Sequence, residues 1–224
     1  MSQPARPGRF PRVLEELGAS ICSGALPPGQ AITLDQLEVQ MRASRTVVRE
    51  AVRSLATMGL VETRQRVGVR VLPLEFWNLF DSQVIRWRLA GQDREQQVRM
   101  LREIRLAIEP EAARLAARHT GPGLARALEQ AARHMLSMSG HGPDRAETFA
   151  AADDAFHRLV LQGSGNAMFV QLADVVAAAL HDRAAHVQAA DDGAMHLHLK
   201  LAQQIGGGDQ DAAWHTSRAI ILRG

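Results

Sequence analysis

Asp153 and His157 are the first pair in this sequence whose residue types and spacing could do chemistry. They are four positions apart in the stretch 146–162, whose apolar pattern predicts a helix, so both lie on one helix face. A carboxylate oxygen and an imidazole nitrogen on one face can bind a single divalent ion such as zinc. Asp154 is a weaker alternative partner for His157. The spacing leaves two interpretations open, a metal-binding pair and an ordinary solvated Asp–His pair.

A second group of residues, in the stretch 44–59, could bind nucleic acid. Its apolar residues repeat at the spacing of one helix face, and they are Val48, Ala51, Val52 and Leu55. Its polar residues fall on the side away from that face, and they are Arg45, Thr46, Arg49 and Arg53. Guanidinium groups on a helix with a packed back fit the major groove of DNA. We expect Ser44 to cap this helix and Gly59 to end it, and a solvated charged face is the alternative interpretation.

The segments that precede this helix predict a helix-turn-helix. Residues 11–23 have helical apolar spacing, and a Leu-Pro-Pro-Gly turn follows at 26–29. Thr33 and Gln36 have the spacing of a capping box, which opens a second short helix. A tight connection then leads into the stretch 44–59, as in a helix-turn-helix.

A two-stranded wing is predicted after Gly59. Apolar and polar residues alternate from 60 to 71 around a turn near Arg66 and Gly68, with basic residues on both sides. Residues 1–72 contain ten arginines and six acidic residues, whereas the rest of the chain has 16 basic and 18 acidic residues. This concentration of positive charge is typical of a nucleic-acid-binding module.

The overall composition is that of an ordinary globular protein. The chain has 224 residues, 46% of them hydrophobic and 22% charged, which argues against a disordered protein. No apolar run approaches the roughly 20 residues of a membrane span, and residues 1–12 have no apolar core of a signal peptide. The single Cys22 excludes an intramolecular disulfide. We therefore expect a cytoplasmic protein without a membrane partner.

Beyond the wing the sequence predicts helices only. Residues 73–91 are expected to form an apolar linker helix or a pair of turns. Later helices are predicted at about 94–119, from after the break at 121–123 to about 139, and at about 146–162, 166–190, 194–205 and 209–222. The predicted fold is mainly α, with an N-terminal winged helix-turn-helix and an all-α helical bundle. The predicted domains are 1–72 for DNA binding, 73–91 for the linker and 92–224 for the bundle.

The first third of the sequence resembles the GntR family of bacterial transcription regulators. The resemblance covers about residues 10–73 and rests on the Leu-Pro-Pro-Gly turn, Ser-Arg-Thr-x-x-Arg-Glu-Ala-x-Arg-x-Leu, Gly-Leu-Val-Glu and the basic wing. It implies that Arg45, Thr46 and Arg49 contact operator DNA and that the wing tip, at Arg66 and Gly68, enters the minor groove.

This chain departs from that family pattern at two positions. Asp35 stands where the family often has a polar or basic contact residue, and an acid there would repel a phosphate. Arg66 replaces the first glycine of the usual Gly-x-Gly wing, so that only Gly68 remains. Arg66 could itself reach the minor groove.

The second part of the chain resembles the helical FCD ligand-binding domain of the FadR branch of this family. The resemblance rests on Arg-x-x-x-Glu-Pro at 105–110, the Asp-x-x-x-His pair, Gly-x-Gly-Asn at 163–166 and a histidine before a Gly-Asp. It implies a divalent metal, zinc, nickel or manganese, bound by Asp153, His157 and His198, with His196 as the alternative to His198. The usual fourth ligand position is occupied by Ile220, so a metal-free polar pocket built from the same residues is the alternative.

Arg105 matches the arginine that faces the effector in that domain. Its guanidinium could bind a carboxylate through two parallel hydrogen bonds, and the alternative is a surface arginine paired with Glu109. Residues 77–87 are similar to the sugar-acid-responsive, galactonate-type repressors of this branch. The resemblance implies that the effector-binding residues are Arg105, Asp153, His157 and His198.

We therefore predict a homodimeric, ligand-responsive repressor that binds operator DNA and a small carboxylate, a sugar acid such as galactonate or gluconate. The alternative is a metal-dependent enzyme, because two histidines and one carboxylate also form catalytic metal sites. An enzyme has no need of the recognition helix and the wing. The sequence shows no nucleophile–base pair, no phosphate-binding glycine loop and no second carboxylate near Asp153. These observations favour the regulator.

Overall fold

The computed structural model describes residues 8–64, 67–137, 145–186 and 192–223. The chain forms two compact units, Met1–Gln97 and Val98–Gly224. Each unit has its own hydrophobic core. No helix in the described ranges is long and apolar enough to cross a membrane.

The first unit is a winged helix-turn-helix. Its helices are α1 (Arg9–Cys22), α2 (Leu34–Met41), α3 (Arg45–Thr57) and α4 (Ser82–Ala90), with a short 3-10 turn at Leu74–Phe76. Its strands are β1 (Ala31–Ile32), β2 (Val61–Arg64) and β3 (Gly68–Val71). The predicted fold class is confirmed, with one addition, because the sheet has three antiparallel strands in the order β1-β3-β2.

The two predicted wing strands pair with Val61 opposite Val71 and Arg64 opposite Gly68. The unpredicted β1 has two residues, of which Ala31 lies opposite Arg70. A strand of two residues is too short for alternation of apolar and polar residues to reveal it. Arg66, the other predicted residue of the wing tip, lies outside the described residues.

The helix-turn-helix has the predicted cap at one helix and lacks it at the other. Thr33 Oγ1 accepts a hydrogen bond from the Gln36 backbone N–H at 3.2 Å, and Gln36 Oε1 accepts one from the Thr33 N–H at 2.9 Å. This capping box starts α2 as predicted. The side-chain cap predicted at Ser44 is wrong, because Ser44 occupies the N-cap position of α3 without a side-chain hydrogen bond to the helix.

Gly59 ends α3 in a conformation that requires glycine. Its φ angle is +76°, and a Cβ atom at this position would lie 2.0 Å from the Phe76 carbonyl oxygen. Because of both features, any residue other than glycine would be strained at this position. The backbone therefore turns at Gly59 into β2 and packs closely against the segment that follows β3.

Helix α4, within the predicted linker 73–91, is part of the first unit and packs against α1. Val84 and Trp87 belong to the core of that unit. Trp87 lies against Gly18 of α1, where a Cβ atom would be 2.4 Å from the indole ring. Asp81 caps the helix by accepting hydrogen bonds from the backbone N–H groups of Gln83 and Val84.

The second unit consists of helices, and its described residues contain no strand. The helices are α5 (Arg94–His119, whose first residues belong to the first unit), α6 (Pro122–Ser137), α7 (Arg145–Gly163), α8 (Ala167–Gln171), α9 (Ala173–His186), α10 (Asp192–Gly206) and α11 (Gln210–Arg223). Helix α6 packs against α7 and α10, α7 against α9, and α10 against α11. This is the predicted helical bundle. The helix predicted from 166 to 190 is two helices in its described part, and they meet at Leu172, while residues 187–190 lie outside the described ranges.

Small residues of α5 line the centre of the bundle core. Ala112, Ala113 and Ala116 are fully buried, which allows neighbouring helices to approach closely. The larger members of this core come from the other helices and include Phe156, Leu161, Leu180, Leu201, Ile205 and Ile220.

Candidate functional site

Three residues of the second unit meet at one buried point between α7 and α10. Asp153 Oδ1 lies 3.1 Å from His198 Nε2 and 3.4 Å from His157 Nε2. The two histidine Nε2 atoms are 3.4 Å apart. All three side chains are buried. The structure therefore brings together the three residues that the sequence predicts as metal ligands.

The spacing and chemistry of these three atoms fit a divalent ion. Bonds of about 2.0–2.2 Å in a tetrahedral site place neighbouring ligand atoms roughly 3.4 Å apart. Asp153 Oδ1 is buried, yet it accepts no hydrogen bond of normal geometry from any described residue. A buried carboxylate oxygen without a hydrogen bond is unfavourable, and a cation would relieve it. His196, the alternative to His198, is exposed on the same helix.

A second carboxylate, from Glu109 on α5, completes this cluster. Glu109 Oε2 lies 2.5 Å from His157 Nδ1, and Glu109 Oε1 accepts a hydrogen bond of 2.5 Å from Arg105 Nε. The expectation of no second carboxylate near Asp153 is therefore wrong, since Glu109 is separated from Asp153 only by the His157 ring. The four-residue spacing between Arg105 and Glu109 indicated that these two side chains could pair. Nothing in the sequence connected Glu109 with His157.

The charges in the cluster stabilise one another despite burial. Burial acts to raise the pKa of Glu109, but Arg105 and His157 outweigh it and lower this pKa to about 2. Burial acts to lower the pKa of His157, but Glu109 and Asp153 raise it to about 9. The pKa of Asp153 is well below its usual value because His157 and His198 outweigh the effect of burial. A metal ion at His157 Nε2 must therefore displace a proton.

Arg105 is a buried residue, so the surface position considered for it is wrong. Its Nε–H is used by Glu109, whereas its Nη2 atom is buried and has no hydrogen-bond partner in the described ranges. Burial acts to lower the pKa of Arg105, and Glu109 overcomes this effect and raises it. Ile220, at the usual fourth ligand position, is completely buried in the apolar core. The cluster thus offers three possible metal ligands and one guanidinium nitrogen, Arg105 Nη2, without a hydrogen-bond partner among the described residues.

The first unit presents the predicted polar face of α3 to solvent. Thr46 and Arg49 are exposed, and Arg49 forms no ion pair with any residue that the structure describes. Arg53 lies 3.8 Å from Glu50, a long and exposed contact. An open groove of about 590 Å³ runs along this face between α2, α3 and β2, and its lining includes Thr46, Arg49, Arg53 and Thr63.

Arg45, in contrast, is held by two acidic residues of α2. Its Nη1 atom is 2.6 Å from Asp35 Oδ1 and 3.2 Å from Glu38 Oε1. These side chains remain partly exposed, so the pairs contribute only about 0–1 kcal/mol to stability. They nevertheless place two negative charges beside Arg45, which distinguishes it from Arg49.

Gly68 of the wing has a structural role in addition to the DNA contact predicted for it. Its φ angle is +101°, and a Cβ atom there would lie 2.6 Å from the Ile32 carbonyl oxygen. Glycine is therefore required for β3 to pack closely beside β1. The neighbouring Arg64 is exposed and paired with Glu62 at 2.8 Å.

The fold and the sites define a class of protein, a winged helix-turn-helix unit joined to an all-α unit with a buried polar cluster. The family described as bacterial regulatory proteins, gntR family, matches residues 11–71, and the FCD domain matches residues 100–223. The chain belongs to the GntR family of bacterial regulatory proteins and carries an FCD domain.

Two relatives with similar sequences agree with this assignment, and a solved structure has a similar fold. The chain is 33% identical over 163 residues to the galactonate operon transcriptional repressor of Escherichia coli, covering 72% of this chain and 69% of the relative. It is 30% identical to a probable D-xylose utilization operon transcriptional repressor of Paenarthrobacter nicotinovorans, covering 87% and 77%. Lar, which controls the expression of the agr system of Listeria monocytogenes, has a similar fold with a TM-score of 0.58, 14% identity and coverage of 98% and 96%. The two relatives from sequence comparison are transcriptional repressors by name, and neither supports the enzyme alternative.

Proposed function

We propose that this protein is a homodimeric transcription repressor that binds operator DNA through α3 and the wing and is controlled by a small carboxylate effector. The observation that supports DNA binding is the exposed polar face of α3, where Arg49 lies beside the groove and forms no ion pair with a described residue. Two copies of such a helix would read the two halves of a pseudo-palindromic operator. Arg45, Thr46, Arg49 and Arg53 are the proposed contacts on the helix, and Arg66 and Gly68 those of the wing.

The effector site that we propose is the buried cluster of the FCD unit. Asp153, His157 and His198 would hold one divalent ion, zinc, nickel or manganese, which supplies a Lewis-acidic contact for an oxygen of the effector. Arg105 would donate from Nη2 to the effector carboxylate, since its Nε–H is already used by Glu109. The two-bond fork expected at Arg105 therefore cannot include Nε.

A sugar acid fits this cluster better than an apolar acid. A hydroxy-carboxylate can satisfy a guanidinium and a cation together, whereas an acyl chain would leave buried polar groups unpaired at about 1–3 kcal/mol each. The similarity to the galactonate operon repressor supports the same class of effector. Effector binding can change operator affinity only if it favours one of two arrangements of the protein.

We expect galactonate or gluconate to bind the protein and release it from operator DNA, and hexanoate to do neither. Calorimetry and gel-shift assays with a panel of acids measure both effects. Arg105→Lys keeps the buried charge beside Glu109 but loses the planar guanidinium, so it should lower effector affinity at least about tenfold. A wild-type response in Arg105→Lys and Arg105→Ala, or release of DNA by acyl chains alone, would contradict this effector site.

Asp35→Ala is expected to tighten DNA binding. It should also steepen the slope of log affinity against log salt concentration by up to about one unit. The change removes a carboxylate that repels phosphates and frees Arg45 from its shorter ion pair. Fluorescence anisotropy with operator DNA at several salt concentrations gives both quantities. Glu129→Ala is the matched control, since Glu129 is an acid of the second unit that is also paired with an arginine. Weaker binding by Asp35→Ala would instead mean that Asp35 holds Arg45 in its binding position.

A further inference from the structure

We infer that Glu109 is a positioning residue, which orients His157 for metal binding and links the metal ligands to Arg105. The inference rests on the proposed metal and effector site and assigns a role to a residue outside the proposed ligand set. It is carried by the two contacts of one buried carboxylate, with His157 Nδ1 on one oxygen and with Arg105 Nε on the other.

The contact with His157 fixes which ring nitrogen can bind an ion. His157 Nδ1 lies 2.5 Å from Glu109 Oε2, and a nitrogen lone pair this close to a carboxylate oxygen would be repelled, so Nδ1 is the ring nitrogen that carries the hydrogen. When His157 is neutral, its lone pair is then on Nε2, the atom that faces Asp153 and His198. A carboxylate behind a histidine ligand also makes the imidazole a stronger donor to the metal.

The contact with Arg105 ties the same carboxylate to the proposed effector contact. Arg105 and Glu109 are one helical turn apart on α5, while His157 is on α7. While Nε–H is held by Glu109, Nη2 of the same guanidinium is buried and has no hydrogen-bond partner among the described residues. A shift of the Glu109 side chain would therefore move both a metal ligand and the guanidinium.

The charge of Glu109 also sets the balance of the cluster when an ion is bound. A divalent ion, two neutral imidazoles, Asp153, Glu109 and Arg105 together leave one net positive charge in a buried site. A monocarboxylate would neutralise that charge, so metal and effector should each strengthen the binding of the other. Loss of the Glu109 charge would leave two buried positive charges and weaken metal binding further.

A purely structural role for Glu109 makes a different prediction. If Glu109 serves only as the counter-ion of buried Arg105, Glu109→Gln would weaken zinc binding through the unbalanced charge, but Glu109→Asp, which keeps the charge, would bind zinc like the wild type. Metal affinity, measured on the folded protein, therefore separates the two roles.

The experiment compares zinc affinity in the full-length wild type and in Glu109→Gln, by competition with a chromophoric chelator. We expect the Kd for zinc to rise about 10- to 100-fold in Glu109→Gln, as for other partners of histidine ligands. Glu109→Asp keeps the charge and should lose less affinity. Glu111→Gln is the matched control, because Glu111 is on the same helix, half-exposed and paired only with Arg114 among the described residues. Its Kd should equal that of the wild type.

The outcomes separate this inference from the proposed function. An unchanged zinc Kd in folded Glu109→Gln, with zinc-binding wild type, would refute the role of Glu109 and leave the metal site standing. Wild type without zinc, nickel or manganese affinity would refute the metal site and this inference with it. If Glu109→Gln does not fold, an unchanged Kd in Glu109→Asp refutes the inference and a raised Kd supports it, since the shorter side chain cannot reach His157 in the same way.

Discussion

Arg49→Ala is expected to raise the Kd of the protein for its operator roughly 5- to 150-fold without changing its melting temperature. The range corresponds to about 1–3 kcal/mol for a lost base or phosphate contact. Arg49 is exposed on α3 and has no ion-pair partner in the described part of the chain, so its guanidinium can bind DNA without breaking another interaction. Anisotropy titrations with an operator fragment selected by the wild-type protein measure the effect.

Arg45→Ala should have a smaller effect than Arg49→Ala, because Arg45 must exchange Asp35 and Glu38 for DNA. Arg133→Ala is the matched control, since it removes the same charge from an exposed position on α6 of the second unit. If a phosphate contact is lost, the slope of affinity against salt should also fall by about one. An Arg49→Ala variant with the operator affinity of wild type would refute the assignment of α3 as the recognition helix.

The order and type of the helices could be predicted from sequence because their apolar periodicity is strong. The stripe Val48, Val52 and Leu55 is buried as expected, and the Thr33 capping box forms. The predictions that failed depend on local geometry that periodicity does not encode. Examples are the two-residue strand β1 and the Ser44 side chain, which has cap backbone geometry but makes no cap hydrogen bond.

The metal ligands could be predicted only in part from the residues themselves. The i, i+4 spacing identifies Asp153 and His157, but His198 is 41 residues further on, and only the family resemblance pointed to it. Glu109 was considered only as the partner of Arg105, because its contact with His157 depends on how α5 and α7 pack. The sequence could not show whether Arg105 is exposed or buried, because its burial depends on how the helices of the bundle pack.

Asp153→Ala is expected to remove most of the stabilisation of the protein by divalent metal. Asp153 is the only carboxylate among the three proposed ligands and lies against both histidines, so its loss should weaken metal binding at least about 100-fold. At a metal concentration of about 1,000 Kd, binding stabilises the wild type by about 4 kcal/mol. A 100-fold loss reduces this to about 1.4 kcal/mol. Thermal melts with and without zinc, nickel or manganese measure the difference.

Asp154→Ala provides the matched control on the same helix. Asp154 is the neighbouring aspartate, and its side chain accepts hydrogen bonds from Arg158 Nε at 2.9–3.0 Å. The Asp154→Ala variant should be slightly less stable than the wild type but should show the full metal-induced rise in melting temperature. Asp153→Asn keeps the side-chain volume and removes the charge, so it tests the same point if the alanine variant unfolds. An equal rise in wild type, Asp153→Ala and Asp153→Asn would place the metal elsewhere, and no rise in wild type would favour a metal-free pocket in which these groups bind the effector directly.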